Sequence, residues 1–146
     1  MTYERPDIKM MDTLDAFFDR LLRRRFTLPA EMDWRAKKLT EFIDSHAGKV
    51  SGSLDDLCIQ LGLTMSGRQA RRLFKGLTRI SVREYAKNRR LVVAADQLWV
   101  TNMPIKAVAV DAGYQRTSEF ARSFKELFHL SPMEFRTFCR RREFAA

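Results

Sequence analysis

The chain has 146 residues, 45% hydrophobic and 31% charged, which is enough apolar material for one compact helical domain or two small ones on a linker and too much for a disordered chain. Its formal net charge of +9 is unevenly placed, since residues 53 to 146 hold 17 Lys/Arg against 9 Asp/Glu while residues 1 to 52 hold 10 against 9. Such an excess points to a polyanionic partner, either nucleic acid or an anionic membrane surface. Two separated cysteines, Cys58 and Cys139, and two isolated histidines, His46 and His129, make neither a disulfide framework nor a metal site at any usual spacing. No apolar run approaches the ~20 residues of a membrane span and no secretory leader pattern opens the chain, so a reducing cytoplasmic compartment, no cofactor and no membrane partner are expected.

In residues 12 to 26 the apolar positions Leu14, Phe17, Phe18, Leu21, Leu22 and Phe26 share one helical face, with Asp15, Asp19, Arg20, Arg23 and Arg24 opposite. Thr27-Leu28-Pro29-Ala30 interrupts that pattern. Residues 1 to 32 therefore read as an amphipathic helix and linker ahead of a domain over 33 to 146. The helix is expected to pack on that domain, with self-association, docking on a partner or a membrane surface as alternatives. The next helix takes Asp33 as N-cap, is expected to bury Trp34, Leu39, Phe42 and Ile43, and stops at Gly48.

Ser53 with Asp56 resembles a capping box and opens a helix through Leu61, with Leu54, Leu57, Cys58 and Leu61 inward and Gly62 at the turn. A short helix from about Ser66 to Lys75 follows. Its inner side is Ala70, Leu73, Phe74 and Leu77, and Arg68, Arg71, Arg72 and Lys75 lie together on the outer side. Two short helices meeting at a glycine, the second with one dry and one cationic face, form a helix-turn-helix over about 53–76. Ser81 and Glu84 box the start of a linker helix over about 82–99, with an apolar stripe including Tyr85, Val92, Ala95, Leu98 and Trp99.

Thr101-Asn102-Met103-Pro104 restarts the unit, with Pro104 suited to a first helical turn. The helix over 105–112 packs Val108 and Ala109, and Thr117 or Ser118 is expected to cap the next one, whose core side is Phe120, Phe124, Leu127 and Phe128. Ser118, Glu119, Arg122 and Lys125 are left outside. This second helix-turn-helix covers about 104–128. Ser131-Pro132-Met133-Glu134 is a further capping box for a closing helix over about 132–142, ending in Arg140-Arg141-Arg142 as a charged tail or a phosphate contact.

The two units are copies of one pattern. GLTMSGRQARRLFKGLTRISVREY spans 62–85 and GYQRTSEFARSFKELFHLSPMEF spans 113–135, aligned at the two glycines and, after a one-residue slip in the turn, from Phe74-Lys75 against Phe124-Lys125 onward. A helix fits the major groove, where Arg can grip guanine through two parallel hydrogen bonds, so Arg68, Arg71, Arg72 and Arg122 are candidates for base edges. Lys75, Arg83, Lys106, Thr117, Ser118 and Lys125 suit phosphates, which fix register without selecting sequence. A stiff linker helix would let both readers enter one face of the duplex about one turn apart.

The second unit resembles the signature of the AraC/XylS transcription regulators. The residues that carry it are Ala109, Gly113 and Tyr114; Phe120, Arg122, Phe124 and Lys125; and Ser131, Pro132, Phe135 and Arg136. The resemblance covers about residues 35 to 138. It implies an all-α fold of two helix-turn-helix subdomains joined by a linker helix, here with the extra N-terminal amphipathic helix, binding double-stranded promoter DNA and regulating transcription. It places Arg68, Arg71 and Arg72 in the first reading helix and Ser118 and Arg122 in the second, at positions that commonly contact bases or nearby phosphates; Glu119 beside them is a further candidate for a base edge. RNA polymerase is a further candidate partner, and a monomer on DNA is expected because one chain carries both readers.

Three departures stand out. The turn 62–66 is about two residues longer than the family's usual turn, and Ala70 replaces a customary leucine beneath the first reader. Arg79 and His129 stand where the family generally has glycine, so each is expected to bear a positive φ at some cost. The family's usual ligand-sensing β-domain has no counterpart in these residues. A sensor-less member is the expectation, and a piece of a longer regulator the alternative. A helical interaction module that kept the fold without specific DNA binding is the competing function. No enzyme is expected, since no constellation of nucleophile, base or metal ligands is present.

Overall fold

The computed structural model describes residues 33–144, with side chains through Arg141; the segment 12–26 lies outside the described residues. Among the described residues all regular structure is helical. The elements are α1 (Trp34–Ser45), α2 (Leu54–Gln60), α3 (Gly67–Thr78), α4 (Val82–Val100), α5 (Ile105–Asp111), α6 (Thr117–Phe128) and α7 (Pro132–Phe144). No described helix is long and apolar enough to cross a membrane. The chain divides into two compact units between Arg90 and Leu91, inside α4.

In the first unit α1 starts where Asp33 accepts the Arg35 backbone N–H at 2.9 Å. The Arg35 guanidinium donates to the same carboxylate, and its hydrogen bond holds the Asp33 carboxyl below its ordinary value. Trp34, expected inside, is 54% exposed. It shares an outer line with Lys38, whose ammonium lies 5.7 Å from the ring, while Ala36, Leu39, Thr40 and Ile43 form the buried line on the other side. The helix closes with Ala47 and Gly48 both at positive φ. Gly48 is required there for a second reason: a Cβ would sit 2.3 Å from the Ala86 carbonyl oxygen of α4.

Leu39, Leu57, Cys58, Leu63 and Ala70 form the core of this unit, with Phe42, Val50, Leu54, Leu61 and Met65 packed around it. Leu54 and Leu61, expected inside, are thus only partly buried. The long partial side chains close the space around Ala70, which is itself fully buried. Phe74 and Tyr85 meet edge to face at 5.5 Å, and the Tyr85 hydroxyl donates to Asp44 at 2.8 Å, tying α4 to α1. Burial, then the Asp44 charge, raises the Tyr85 pKa.

In the second unit Leu91, Ala94, Ala95 and Leu98 are buried on α4, and Val92 and Trp99 flank them half-buried. An aromatic cluster fills the centre. Phe124 contacts Phe120, Phe128 and Phe135 with centroids at 5.7, 4.6 and 5.5 Å, and Tyr114 lies 5.6 Å from Phe120. Arg136 of α7 is buried and donates to the Leu98 and Thr101 carbonyls at 3.3 and 3.4 Å, so a guanidinium closes the C-terminal end of α4. Burial lowers its pKa. At the start of α7 the Ser131 and Glu134 cap is reciprocal, Glu134 N–H donating to Ser131 Oγ at 3.1 Å and Ser131 N–H to Glu134 at 3.4 Å.

Two local expectations are corrected by the structure. Pro104 occupies the N-cap position of α5 and not its first turn. The cap of α6 is Arg116, which makes no side-chain cap bond; Thr117 and Ser118 are the first two helical residues. Arg140 and Arg141 lie on α7, and the Arg140 guanidinium donates to the Asn102 side-chain oxygen at 2.9 Å.

Candidate nucleic-acid interface

Each unit builds its reading helix from the same local parts. A short helix ends at a glycine of positive φ, Gly62 or Gly113, whose successor donates back into that helix: Leu63 to the Cys58 carbonyl at 2.8 Å and Tyr114 to the Ala109 carbonyl at 3.0 Å. The reading helix, α3 or α6, then runs for 12 residues. It ends on a non-glycine residue in the left-handed region, Arg79 at φ 70° and His129 at φ 64°. Both positive φ values expected from the sequence are present.

The starts differ. The turn before α3 is one residue longer than the turn before α6, and this places Ser66 as N-cap with a reciprocal Gln69 box that sequence inspection missed, although Ser-x-x-Gln was there to be read. In addition the Asp55 carboxylate of α2 accepts the Gly67 N–H of α3 at 2.6 Å, joining the two helices of the motif. Only glycine fits at this point. A Cβ on Gly67 would meet the Asp55 backbone nitrogen at 2.9 Å. In the second unit the corresponding pair is Lys106 and Thr117, which offers no such acceptor.

Every predicted contact residue of both reading helices is exposed: Arg68, Arg71, Arg72 and Lys75 on α3, and Thr117, Ser118, Glu119, Arg122 and Lys125 on α6. Arg83 at the start of α4 and Lys106 on α5 are exposed as well. The opposite faces are dry, with Ala70 and Phe74 buried under α3 and Phe120, Phe124 and Leu127 under α6. Arg72 and Arg122 stand at the same place in their helices, as do Lys75 and Lys125. On α3 the cations gather around a shallow concavity lined by Arg71, Arg72, Lys75, Gly76 and Arg79. No ion pair with a described acidic side chain engages any of these four cations. Among the described residues no group of His, Cys, Asp and Glu is placed to hold a metal ion, and the His46 ring is occupied by the Phe42 carbonyl at 2.8 Å.

Two helix-turn-helix units in tandem, each with an exposed basic residue over a dry face, define the class of DNA-binding regulators with a duplicated reading motif. A family model for a helix-turn-helix domain matches residues 62–137. The regulatory protein SoxS of Salmonella typhimurium is 33% identical over 98 residues, covering 67% of this chain and 89% of that protein. The arabinose operon regulatory protein of Escherichia coli K12 is 29% identical over 126 residues; the match covers 83% of this chain and 42% of that protein. Among solved structures, a Chromobacterium violaceum transcriptional regulator with an AraC-type DNA-binding domain superposes with a TM-score of 0.65 at 22% identity, over 77% of this chain and 95% of that one. The DNA-binding domain of AdpA, solved with a target DNA, gives a TM-score of 0.62 at 20% identity, over 73% and 94% of the two chains. The chain belongs to the AraC/XylS family of DNA-binding transcription regulators.

Proposed function

We propose that this chain binds a non-palindromic promoter site in double-stranded DNA, with α3 and α6 each entering a major groove. The carrying observation is that Arg72 and Arg122, with Lys75 and Lys125 three residues on, are exposed at equivalent positions above buried faces. Arg68, Arg71, Arg72 and Arg122 address base edges, where a guanidinium matches guanine O6 and N7; Ser118 and Glu119 read neighbouring bases, a carboxylate accepting from the cytosine amino group. Lys75, Arg83, Lys106 and Lys125 neutralise phosphates. Thr117 belongs with them because α6 begins without a side-chain cap, leaving first-turn N–H groups and the positive helix end for an anion.

The site is non-palindromic because RQARRLFK and EFARSFK present different side chains to their half-sites. One chain supplies both readers, so it acts as a monomer on DNA, in the cytoplasm, and as a regulator without enzymatic activity; RNA polymerase is the partner that promoter binding would bring near. The test is selection from a random duplex pool at moderate salt. An enriched asymmetric motif is expected. A pool that stays random would favour the interaction module, which needs the fold and not the arginines.

A further inference from the structure

We infer that Arg79, together with Lys75, forms a phosphate clamp at the C-terminal end of the first reading helix, a DNA-backbone contact that the second unit lacks. This rests on the DNA-binding reading above and adds a residue and a division of labour to it. Arg79 holds a left-handed backbone, φ 70°, where glycine is free of strain. Ending α3 does not require its side chain, because the closing hydrogen bond is made by the Arg79 backbone N–H to the Lys75 carbonyl at 2.9 Å.

What the side chain does add is a fourth cation around the concavity shared with Arg71, Arg72 and Lys75. Along the helix, Arg68, Arg72, Lys75 and Arg79 fall at intervals of four, three and four residues, one continuous line about 16 Å long at the α-helical rise. A reading helix touches bases mainly near its N-terminal end, so the far end of such a line meets the backbone. Gly76 opens the floor of the concavity, since a Cβ there would find nothing within 4 Å. Four like charges around one dent repel each other in the free protein, and a phosphate held between the Arg79 fork and the Lys75 ammonium relieves that repulsion.

The second unit is built otherwise at the same two positions. Glu126 stands where the first unit has Gly76, and His129 where it has Arg79, also left-handed. An acid at the mouth of the corresponding surface disfavours a phosphate.

The experiment compares wild type with Arg79→Gly, Arg79→Asn and His129→Gly, by thermal melting and by salt-dependent binding to a random-sequence duplex of about three helical turns. Glycine relieves the backbone strain at both positions, so Arg79→Gly and His129→Gly should each melt higher. Only the Arg79 variants should bind more weakly, with the slope of log K against log salt reduced by about 0.9, one phosphate's worth. Asn tolerates the left-handed region and keeps the test open if the glycine variant folds poorly. An unchanged slope in both Arg79 variants overturns the clamp while leaving DNA binding intact. Wild type that binds no duplex at all instead removes the DNA-binding reading itself.

Discussion

The two reading helices share a backbone plan and differ in chemistry. From Gly67 to its left-handed cap α3 carries Arg68, Arg71, Arg72, Lys75 and Arg79 with no acid, whereas α6 with His129 carries Arg122 and Lys125 against Glu119 and Glu126. The supports differ in the opposite sense. Under α3 the central core position is Ala70, ringed by partly buried side chains, and α3 is joined to α2 by the Asp55 to Gly67 hydrogen bond; under α6 the same position is Phe120 in a cluster of five aromatic rings. The first unit thus carries the more cationic reading helix and the second the more aromatic core beneath its reader. Sequence-independent attraction grows with the number of cations, and selectivity grows with donors and acceptors that reject the wrong base.

The largest expected effect probes the supports. Phe124→Ala removes a fully buried ring that touches three others and should cost about 3–5 kcal/mol of stability in denaturant unfolding. Phe74→Ala should fall at the lower end of that range, since its ring pairs with Tyr85 in a core of smaller side chains. Equal losses would mean that the aromatic cluster adds nothing to stability beyond the first unit's core.

Next come the readers. Arg72→Ala and Arg122→Ala should each lose about 1–3 kcal/mol on the selected site and relax preference at one or two base pairs, while Lys125→Ala weakens all sequences alike. Equal losses on selected and random duplexes for all three would show that the arginines act only on the backbone. If the comparison holds, removing charge from α3 changes non-specific binding more than removing it from α6.

The bond between α2 and α3 offers a smaller effect. Asp55→Ala deprives the Gly67 N–H of its acceptor and should cost about 1 kcal/mol in denaturant unfolding, with an altered preference on the selected site. A stability loss without a change in site preference would assign the bond to folding alone.

Smallest is the response to acid. Hydrogen bonds to Ser131 hold the Glu134 carboxyl below its ordinary value, as Arg35 does for Asp33. Each therefore stabilises fully above the ordinary carboxylate range and loses that contribution as pH falls through the lowered folded value. Melting temperature should drop on acidification, and Glu134→Gln should flatten part of that drop; an identical pH profile would leave the cap without a role.

Much of this was legible in the chain because it is local. Caps at Asp33, Ser53 and Ser131, the inner faces of both reading helices and the exposure of every candidate contact follow from relations three or four residues apart, which fix side chains on a helical surface before any tertiary contact forms. The strained ends at Arg79 and His129 follow instead from the family resemblance, since both stand where that family generally has glycine. Trp34 was misplaced because a residue in the first turn has no preceding turn to define its face. Only the tertiary structure decided that Asp55 reaches Gly67, that Arg136 closes the end of α4, and that Arg71, Lys75 and Arg79 surround one concavity over Gly76. Those outcomes depend on how closely two elements approach and which atoms are then left without water, quantities that docking determines and helical periodicity does not contain.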